Sequence, residues 1–286
     1  MLKPFIKKVV EGIGLTENEA MLAMEAIMEG QASEVQLACL ITALKMKGET
    51  AAEITGFARV MTSKAEKIPC KSKNVVDTCG TGGDGAQTFN ISTTAAFIAA
   101  GAGLKVAKHG NRSVSSRCGS ADVLESLGIN LNIPSQETAR CIDEAGLGFL
   151  FAPLLHKAMK HAAKPRKEMS IRTIFNLLGP LTNPAGAKRQ LLGVYSEGLT
   201  TVIGEALLKL GTEHALVVHG LDGMDEITLC GSTKITEIKK GEIRTYIFNP
   251  EEIGLKKSSI QPILGGNVQK NADILLTQHQ SLRDQR

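Results

Sequence analysis

The sequence predicts an α/β protein: a mostly parallel central sheet flanked by helices, joined to a small all-helical domain. Three observations carry this expectation. From residue 68 onward, short apolar runs ending in glycine or a polar cluster alternate with helical stretches of about 10–15 residues, the pattern of βαβ units. Residues 1–67 open instead with three successive helix-start signals. A chain of 286 residues, 43% of them hydrophobic, can bury one large core or two smaller ones.

The helix starts share one chemistry. Thr16 precedes Glu19, Ser33 precedes Gln36 and Thr50 precedes Glu53. In each, the first side chain can accept from the third backbone N–H while the Glu or Gln reaches back. Gly30 and Gly48 follow the first two helices, where a left-handed residue closes a helix. Val35, Leu37, Leu40, Ile41 and Leu44 give an apolar stripe at helical spacing. The strands expected next are NVVDTC, LKVAKHG, INLNI, LGFLFAP, QLLGVYS and HALVVHG, each but the last followed by a helical stretch. TLCGSTKITEIKKGEIRTYIF alternates polar and apolar residues around Lys240-Gly241, which predicts an antiparallel hairpin or edge piece.

One basic stretch, LLHKAMKHAAKPRKEMSIRTIFNLLGPLTNP, interrupts the alternation. It reads as mostly helical, with a break at Pro165. A return of the chain to the helical domain divides the sequence into 1–67 and 157–188 (helical) and 68–156 and 189–286 (α/β).

Composition narrows the function. The net charge of +4, from 33 basic and 29 acidic residues, lacks the basic excess of a dedicated nucleic-acid binder. With no Trp and only two Tyr, base-stacking platforms are scarce as well. A small anionic ligand suits this balance better than a polymer. The six cysteines lie scattered without Cys-x-x-Cys spacing, so they are expected as reduced thiols rather than zinc ligands. No signal-peptide core or membrane-length apolar run is present, which leads to a cytoplasmic expectation with no membrane partner.

Ligands of open parallel sheets sit at the carboxyl ends of the strands, and three unusual clusters fall there. The first, DTCGTGGDGAQTFNIST, packs four glycines into residues 80–85 and then starts a helix. Its backbone amides, the helix N-terminus and the side chains of Asn90, Ser92 and Thr93 can face a phosphate. It matches neither the Walker A loop nor the dinucleotide fingerprint. The second, KHGNRSVSSRCGSAD, brings Lys108, His109, Asn111 and Arg112 to a strand end, with Ser115, Ser116, Gly119 and Ser120 leading into a helix. The third, HGLDGMDE, carries Asp225 and Glu226. Such a pair is more often solvated, but opposite two phosphate cradles it suits Mg²⁺, which commonly bridges one or two carboxylates and substrate phosphates. Arg166, in the basic stretch, is either a solvated charge or a carboxylate clamp across a cleft.

Together, GTGGDG (80–85), NIST (90–93), KHGNR (108–112), SSRCGSADVLE (115–125), RTIFNLLGPLTNP (172–184) and DGMDE (222–226) resemble the anthranilate phosphoribosyltransferase family, in its order and over most of the chain. The resemblance implies an active site in the cleft between the two domains, and transfer of the phosphoribosyl group of phosphoribosyl pyrophosphate (PRPP) to anthranilate in tryptophan synthesis. By the same resemblance, Gly80, Gly83, Asp84, Thr88, Asn90, Ile91, Ser92 and Thr93 hold PRPP. Lys108, His109, Gly110, Asn111, Arg112, Ser113, Val114, Ser115, Ser116 and Ser120 complete that site. Anthranilate falls to Gly80, Asn111 and Arg166, with His109 and His156 lining its side. Ser92, Asp225 and Glu226 are implied ligands of two Mg²⁺ ions, and a homodimer through the helical domain is expected. No residue compels assignment as a general base.

Two departures from the family pattern stand out. The family continues past ILGGN…NADILL with a further helical stretch on the α/β domain, whereas this sequence ends in TQHQSLRDQR. Absence of that stretch would expose apolar sheet surface and predicts low stability or altered assembly. Lys157 replaces the proline usual after the motif histidine, which could loosen the turn carrying His156. Rival readings are a family-fold protein without activity, a pyrimidine nucleoside phosphorylase and a non-catalytic nucleic-acid-binding relative. A phosphorylase would carry KxSGR in place of KHGNR, and the nucleic-acid binder would lack KHGNR and DGMDE.

Overall fold

The computed structural model describes residues 1–113 and 118–283. Helices α1 (Lys3–Val10), α2 (Glu17–Met28), α3 (Glu34–Lys47) and α4 (Ala51–Ser63) form the N-terminal helical domain. The Thr16 and Thr50 boxes close in both directions. The Ser33 box closes in one only: its hydroxyl accepts from the Gln36 amide, while the Gln36 side chain turns to accept from the Leu2 amide and fixes the chain start. Glu53 is fully buried and accepts from the amides of Leu15 and Thr50 and from the Lys47 ammonium, at 2.9, 2.8 and 3.0 Å.

The rest of the described chain builds a seven-stranded sheet. In chain order it runs β1 (Val75–Asp77), α5 (Ile91–Gly101), β2 (Lys105–Gly110), α6 (Ser120–Ser126), α7 (Ser135–Arg140), β3 (Leu147–Phe151), α8 (Ala152–Leu155), α9 (Lys160–Met169) and α10 (Phe175–Leu178). Then follow β4 (Arg189–Gly193), α11 (Leu199–Lys209), β5 (His214–Gly220), β6 (Thr233–Lys239), β7 (Glu242–Phe248) and α12 (Val268–Arg283). The spatial order is β3-β2-β1-β4-β5-β6-β7. The first five strands in that order pair in parallel, and β6 and β7 close the sheet as an antiparallel hairpin. Lys240 and Gly241 both have positive φ, as a tight hairpin turn requires.

Two sequence expectations fail. INLNI (129–133) forms no strand, because β3 already occupies the edge beside β2; Leu131 alone of the five is buried, among Val123, Leu124 and Phe151. Pro165 does not break its helix: α9 runs through it, with the buried proline and Ala162 on a helix that packs against α3.

The helical domain and the sheet share one core. Phe57, Ile54 and Leu44 join Ile174, Phe175 and Leu178, and the same cluster continues into Leu192, Val194 and Ile203. The Phe57 and Phe175 rings meet edge to face at 6.3 Å, an arrangement that aromatic quadrupoles favour.

Candidate active site

The glycine loop closes against bare backbone. A Cβ on Gly80 would lie 2.9 Å from the Gly193 carbonyl oxygen, and one on Gly193 would lie 1.6 Å from that of Asp225. Three strand-end segments therefore stack with no room for a side chain between them. Thr81 locks the stack: its amide donates to the Gly193 carbonyl at 2.8 Å, and its hydroxyl accepts from the Tyr195 amide at 3.1 Å. Gly83 holds φ +84°, and its carbonyl accepts from the Arg172 guanidinium. That guanidinium lies 4.5 Å from the Tyr195 ring centroid, and the Lys45 ammonium of α3 lies 5.9 Å from it. The loop thus sits where the helical domain meets the sheet.

Lys108 is buried at the end of β2, and its ammonium donates to the Thr78 carbonyl, the Thr78 hydroxyl and the Ser92 hydroxyl at 3.2–3.3 Å. Facing it is a group of carboxylates. The Asp225 amide donates to the Asp84 carboxylate at 3.2 Å, and the Ser92 amide donates to Glu226. Burial, then the charge of Asp84, raises the Asp225 carboxyl well above its ordinary range. Burial, then Asp225, pushes Glu226 up to about 8, with Lys108 opposing. Bringing these carboxyls to their fully charged form therefore calls for a cation beyond Lys108. Among the described residues no group of three or more His, Cys, Asp or Glu side chains could hold a metal by itself. The donors nevertheless fit Mg²⁺, which keeps several waters and takes one or two carboxylates together with substrate phosphates. Ser92, Asp225 and Glu226 are the residues that would hold it.

On the other side of β2, His109 and His156 are buried with ring centroids 5.1 Å apart. His109 Nδ1 donates to the Gly179 carbonyl at 2.9 Å, leaving Nε2 without a partner among the described residues; both His156 nitrogens also lack one. Burial lowers both, His156 to about 3, so the rings are neutral at pH 7. In the turn after His156, the exposed Lys157 ammonium pairs with Glu66 at 2.7 Å. On α9, the Arg166 guanidinium lies 5.1 Å from the Phe175 ring centroid. It has no carboxylate within 4 Å among the described residues, and burial lowers its pKa. A half-buried, unpaired guanidinium beside an aromatic ring suits an aromatic carboxylate.

The remaining expected residues divide. Thr88 bridges to Leu264, and Asn90 Nδ2 donates to the Cys118 carbonyl while its Oδ1, like the Thr93 hydroxyl, is buried without a partner among the described residues. Ile91 opens α5, and Gly110 ends β2 against Ser120, which donates to the Asn111 carbonyl. Asn111 is exposed. The Arg112 guanidinium is not turned to the loop: it forks onto Glu125 at 2.5 and 2.8 Å and reaches Asp122 at 3.2 Å. Ser113 donates its amide to Asp122. Val114, Ser115 and Ser116 lie outside the described residues. Sequence reasoning missed Asp77, Thr81, Arg172, Asn183 and Gly193 as parts of this region. Asp77, Thr81, Arg172 and Asn183 stood inside quoted motifs, but only the fold shows where their side chains go. Two cavities of about 440 and 410 Å³ lie elsewhere, the second touching the region through Thr93 and Lys108.

Residues 3–65 match the helical bundle domain of a glycosyl transferase family, and residues 72–285 match the family's a/b domain. The anthranilate phosphoribosyltransferase of Moorella thermoacetica is 58% identical over 96% of this chain and 81% of its own length. That of Desulforamulus reducens is 54% identical over 96% and 80%. The crystal structure of the Thermus thermophilus enzyme superposes with a TM-score of 0.88 at 46% identity, covering 94% of this chain and 80% of that one. The Saccharomyces cerevisiae enzyme in complex with PRPP and Mg gives 0.85 at 28% identity, over 96% and 79%. With the glycine loop, the lysine and the carboxylates at the strand ends described above, this chain belongs to the anthranilate phosphoribosyltransferase family of glycosyl transferases.

Proposed function

We propose that this chain transfers the 5-phosphoribosyl group of PRPP to the amine of anthranilate, releasing pyrophosphate, as a step of tryptophan biosynthesis. The observation that carries the proposal is the convergence of the glycine loop, a buried lysine and a crowded carboxylate group on one side of β2, with neutral histidines on the other and, on α9, an Arg166 without a carboxylate partner among the described residues. The first set suits a sugar diphosphate and the second an aromatic amine bearing a carboxylate.

The chemistry asks little of acid–base groups. Departure of pyrophosphate from C1 of the ribose passes through an oxocarbenium-like state, so the loop amides and Lys108 work by stabilising charge on the leaving group. Bound Mg²⁺ supplies further neutralisation of that charge. Arg166 orients the acceptor by its carboxylate, and His109 with His156 present a neutral, water-poor wall to its amine. Orientation of a weak nucleophile is then the main contribution of the acceptor side.

Two Mg²⁺ ions, a cytoplasmic location and a homodimer through the helical domain extend the proposal. Val10, Val35 and Met46, all strongly exposed on α1 and α3, offer apolar surface for such contact. The partition into 1–67 with 157–188 and 68–156 with 189–286 draws support from the packing of α9 on α3 and of α10 on α4. The deciding assay mixes purified chain with PRPP, Mg²⁺ and anthranilate and follows loss of anthranilate fluorescence with release of pyrophosphate. Folded protein that releases none overturns the proposal.

A further inference from the structure

Beneath the glycine loop lies a buried carboxylate with no cation in contact among the described residues. Asp77 ends β1 and is fully buried. Its Oδ1 accepts from the amides of Cys79 and His109, at 3.0 and 3.1 Å. Its Oδ2 accepts from Asn183 Nδ2 at 2.7 Å. Asn183 spends its other amide hydrogen on the Ala107 carbonyl at 2.8 Å, and its Oδ1 accepts from the Ala185 amide at 2.9 Å. Besides the bond that joins them, four hydrogen bonds thus radiate from this Asp–Asn pair to the root of the glycine loop, the end of β2 and the turn that leaves α10.

Burial pushes the Asp77 carboxyl up, and the Asn183 hydrogen bond and the Lys108 charge are among the influences that hold it down. An isolated buried carboxylate is costly, and an Asn at 77 could accept the same two backbone amides. The reason for the charge lies one residue before His109. Lys108 is also buried, and among the described residues no carboxylate comes within 4 Å of it. Its ammonium and the Asp77 carboxylate flank Thr78 without touching. A counter-charge held back in this way balances Lys108 in the low-dielectric interior while leaving its N–H groups to tie Thr78, at the root of the glycine loop, to the Ser92 hydroxyl. A carboxylate in direct contact would occupy those N–H groups instead.

We infer that Asp77, held by Asn183, is a positioning residue for the phosphoribosyl-donor half of the site: it fixes the spacing between the glycine loop and Lys108 and balances the lysine's charge from below. This rests on the function proposed above and concerns residues that need not touch either substrate.

The test is Asp77→Asn, an isosteric change. Because Oδ1 carries both backbone contacts, the substitution can keep them; it removes the charge and sets two amide donors face to face at Asn183. We expect KM for PRPP to rise about tenfold or more while KM for anthranilate stays within twofold. Calorimetric affinity for PRPP with Mg²⁺, without anthranilate, falls by the same factor. The double variant Asp77→Asn with Asn183→Asp restores a donor–acceptor pair and a nearby negative charge at the cost of the donation to the Ala107 carbonyl, and is expected to recover part of that affinity. A purely structural role would lower kcat through loss of active protein and leave both KM values alone. That result, an unchanged KM for PRPP, equal rises in both KM values, or a double variant no better than the single one overturns the inference. If Asp77→Asn does not fold, Asn183→Ala carries the same KM comparison. Wild-type protein without turnover overturns the functional proposal and this inference with it; an active wild type with an indifferent Asp77→Asn overturns the inference alone.

Discussion

Substituting Gly193 by alanine tests the strand-end stack directly. The added methyl would stand 1.6 Å from the Asp225 carbonyl oxygen, whereas ordinary contact begins at 3.4 Å. The loop bearing Asp225 and Glu226 must therefore retreat by about 1.8 Å, or β4 must shift by a comparable amount. Overpacking of this kind costs typically ~1–3 kcal/mol of stability, which a folded domain can survive. Function is more sensitive, since a misplacement of about 1 Å can cost roughly 10²-fold in rate. Gly193→Ala is thus expected to stay folded, to lose about two orders of magnitude in kcat/KM for PRPP, and to need more Mg²⁺ for half-maximal rate. Gly198→Ala, with nothing within 4 Å of the added carbon and an ordinary φ of −62°, serves as control. Steady-state kinetics across a Mg²⁺ titration, with a thermal melt, read all of this. Near-native kcat/KM and Mg²⁺ dependence in Gly193→Ala would refute the stacking argument.

Three further outcomes are expected. Arg166→Ala should raise KM for anthranilate by roughly 10–10²-fold, the worth of one or two charge-assisted hydrogen bonds, and leave KM for PRPP within twofold; equal losses on both substrates would remove Arg166 from the acceptor side. Glu53→Ala orphans two backbone amides and the Lys47 ammonium at once, so urea unfolding should show a loss of roughly 3–5 kcal/mol, and a loss below about 1 kcal/mol would contradict the buried network. His156 is depressed from 6.5 to about 3, so the unfolded chain takes up its proton first as pH falls. Its contribution is fully present above pH 6.5 and is lost below it, at up to about 1.4 kcal/mol per pH unit. His156→Phe should flatten the fall in unfolding free energy between pH 6.5 and pH 4.5, and an unaltered slope would place His156 in contact with water.

Much of this was legible from local chemistry. Thr16 and Thr50 with their glutamates, the glycine loop and the Lys240-Gly241 turn are short-range signals, decided by residues within a few positions of one another. INLNI misled because a short apolar run reports burial, not a hydrogen-bonded neighbour; Leu131 buries its side chain without a ladder partner. Pro165 misled because helix propensity is a local preference, and packing of α9 against α3 outweighs it. Within the site, Lys108 and Glu226 could be placed from their strand-end positions. Arg112 could not, since its choice of Glu125 over a phosphate cradle depends on how α6 docks. Gly193 and Asn183 carried no signal of their own: their importance comes from residues 32 and 106 positions away, Asp225 and Asp77, which only the closed sheet brings alongside.

The continuous core beneath the cleft bears on how such a protein can be rearranged. Phe57 and Phe175 belong to different stretches of sequence yet fill one interior. A chimera that borrows only the first 67 residues from a relative would inherit half of a jigsaw. To graft the helical portion successfully, one must transplant the segment around Ile174 and Leu178 with it, and with that segment travels Arg166. On the function proposed above, exchange of the scaffold therefore drags acceptor recognition along, whereas the loops assigned to the donor phosphates can stay behind.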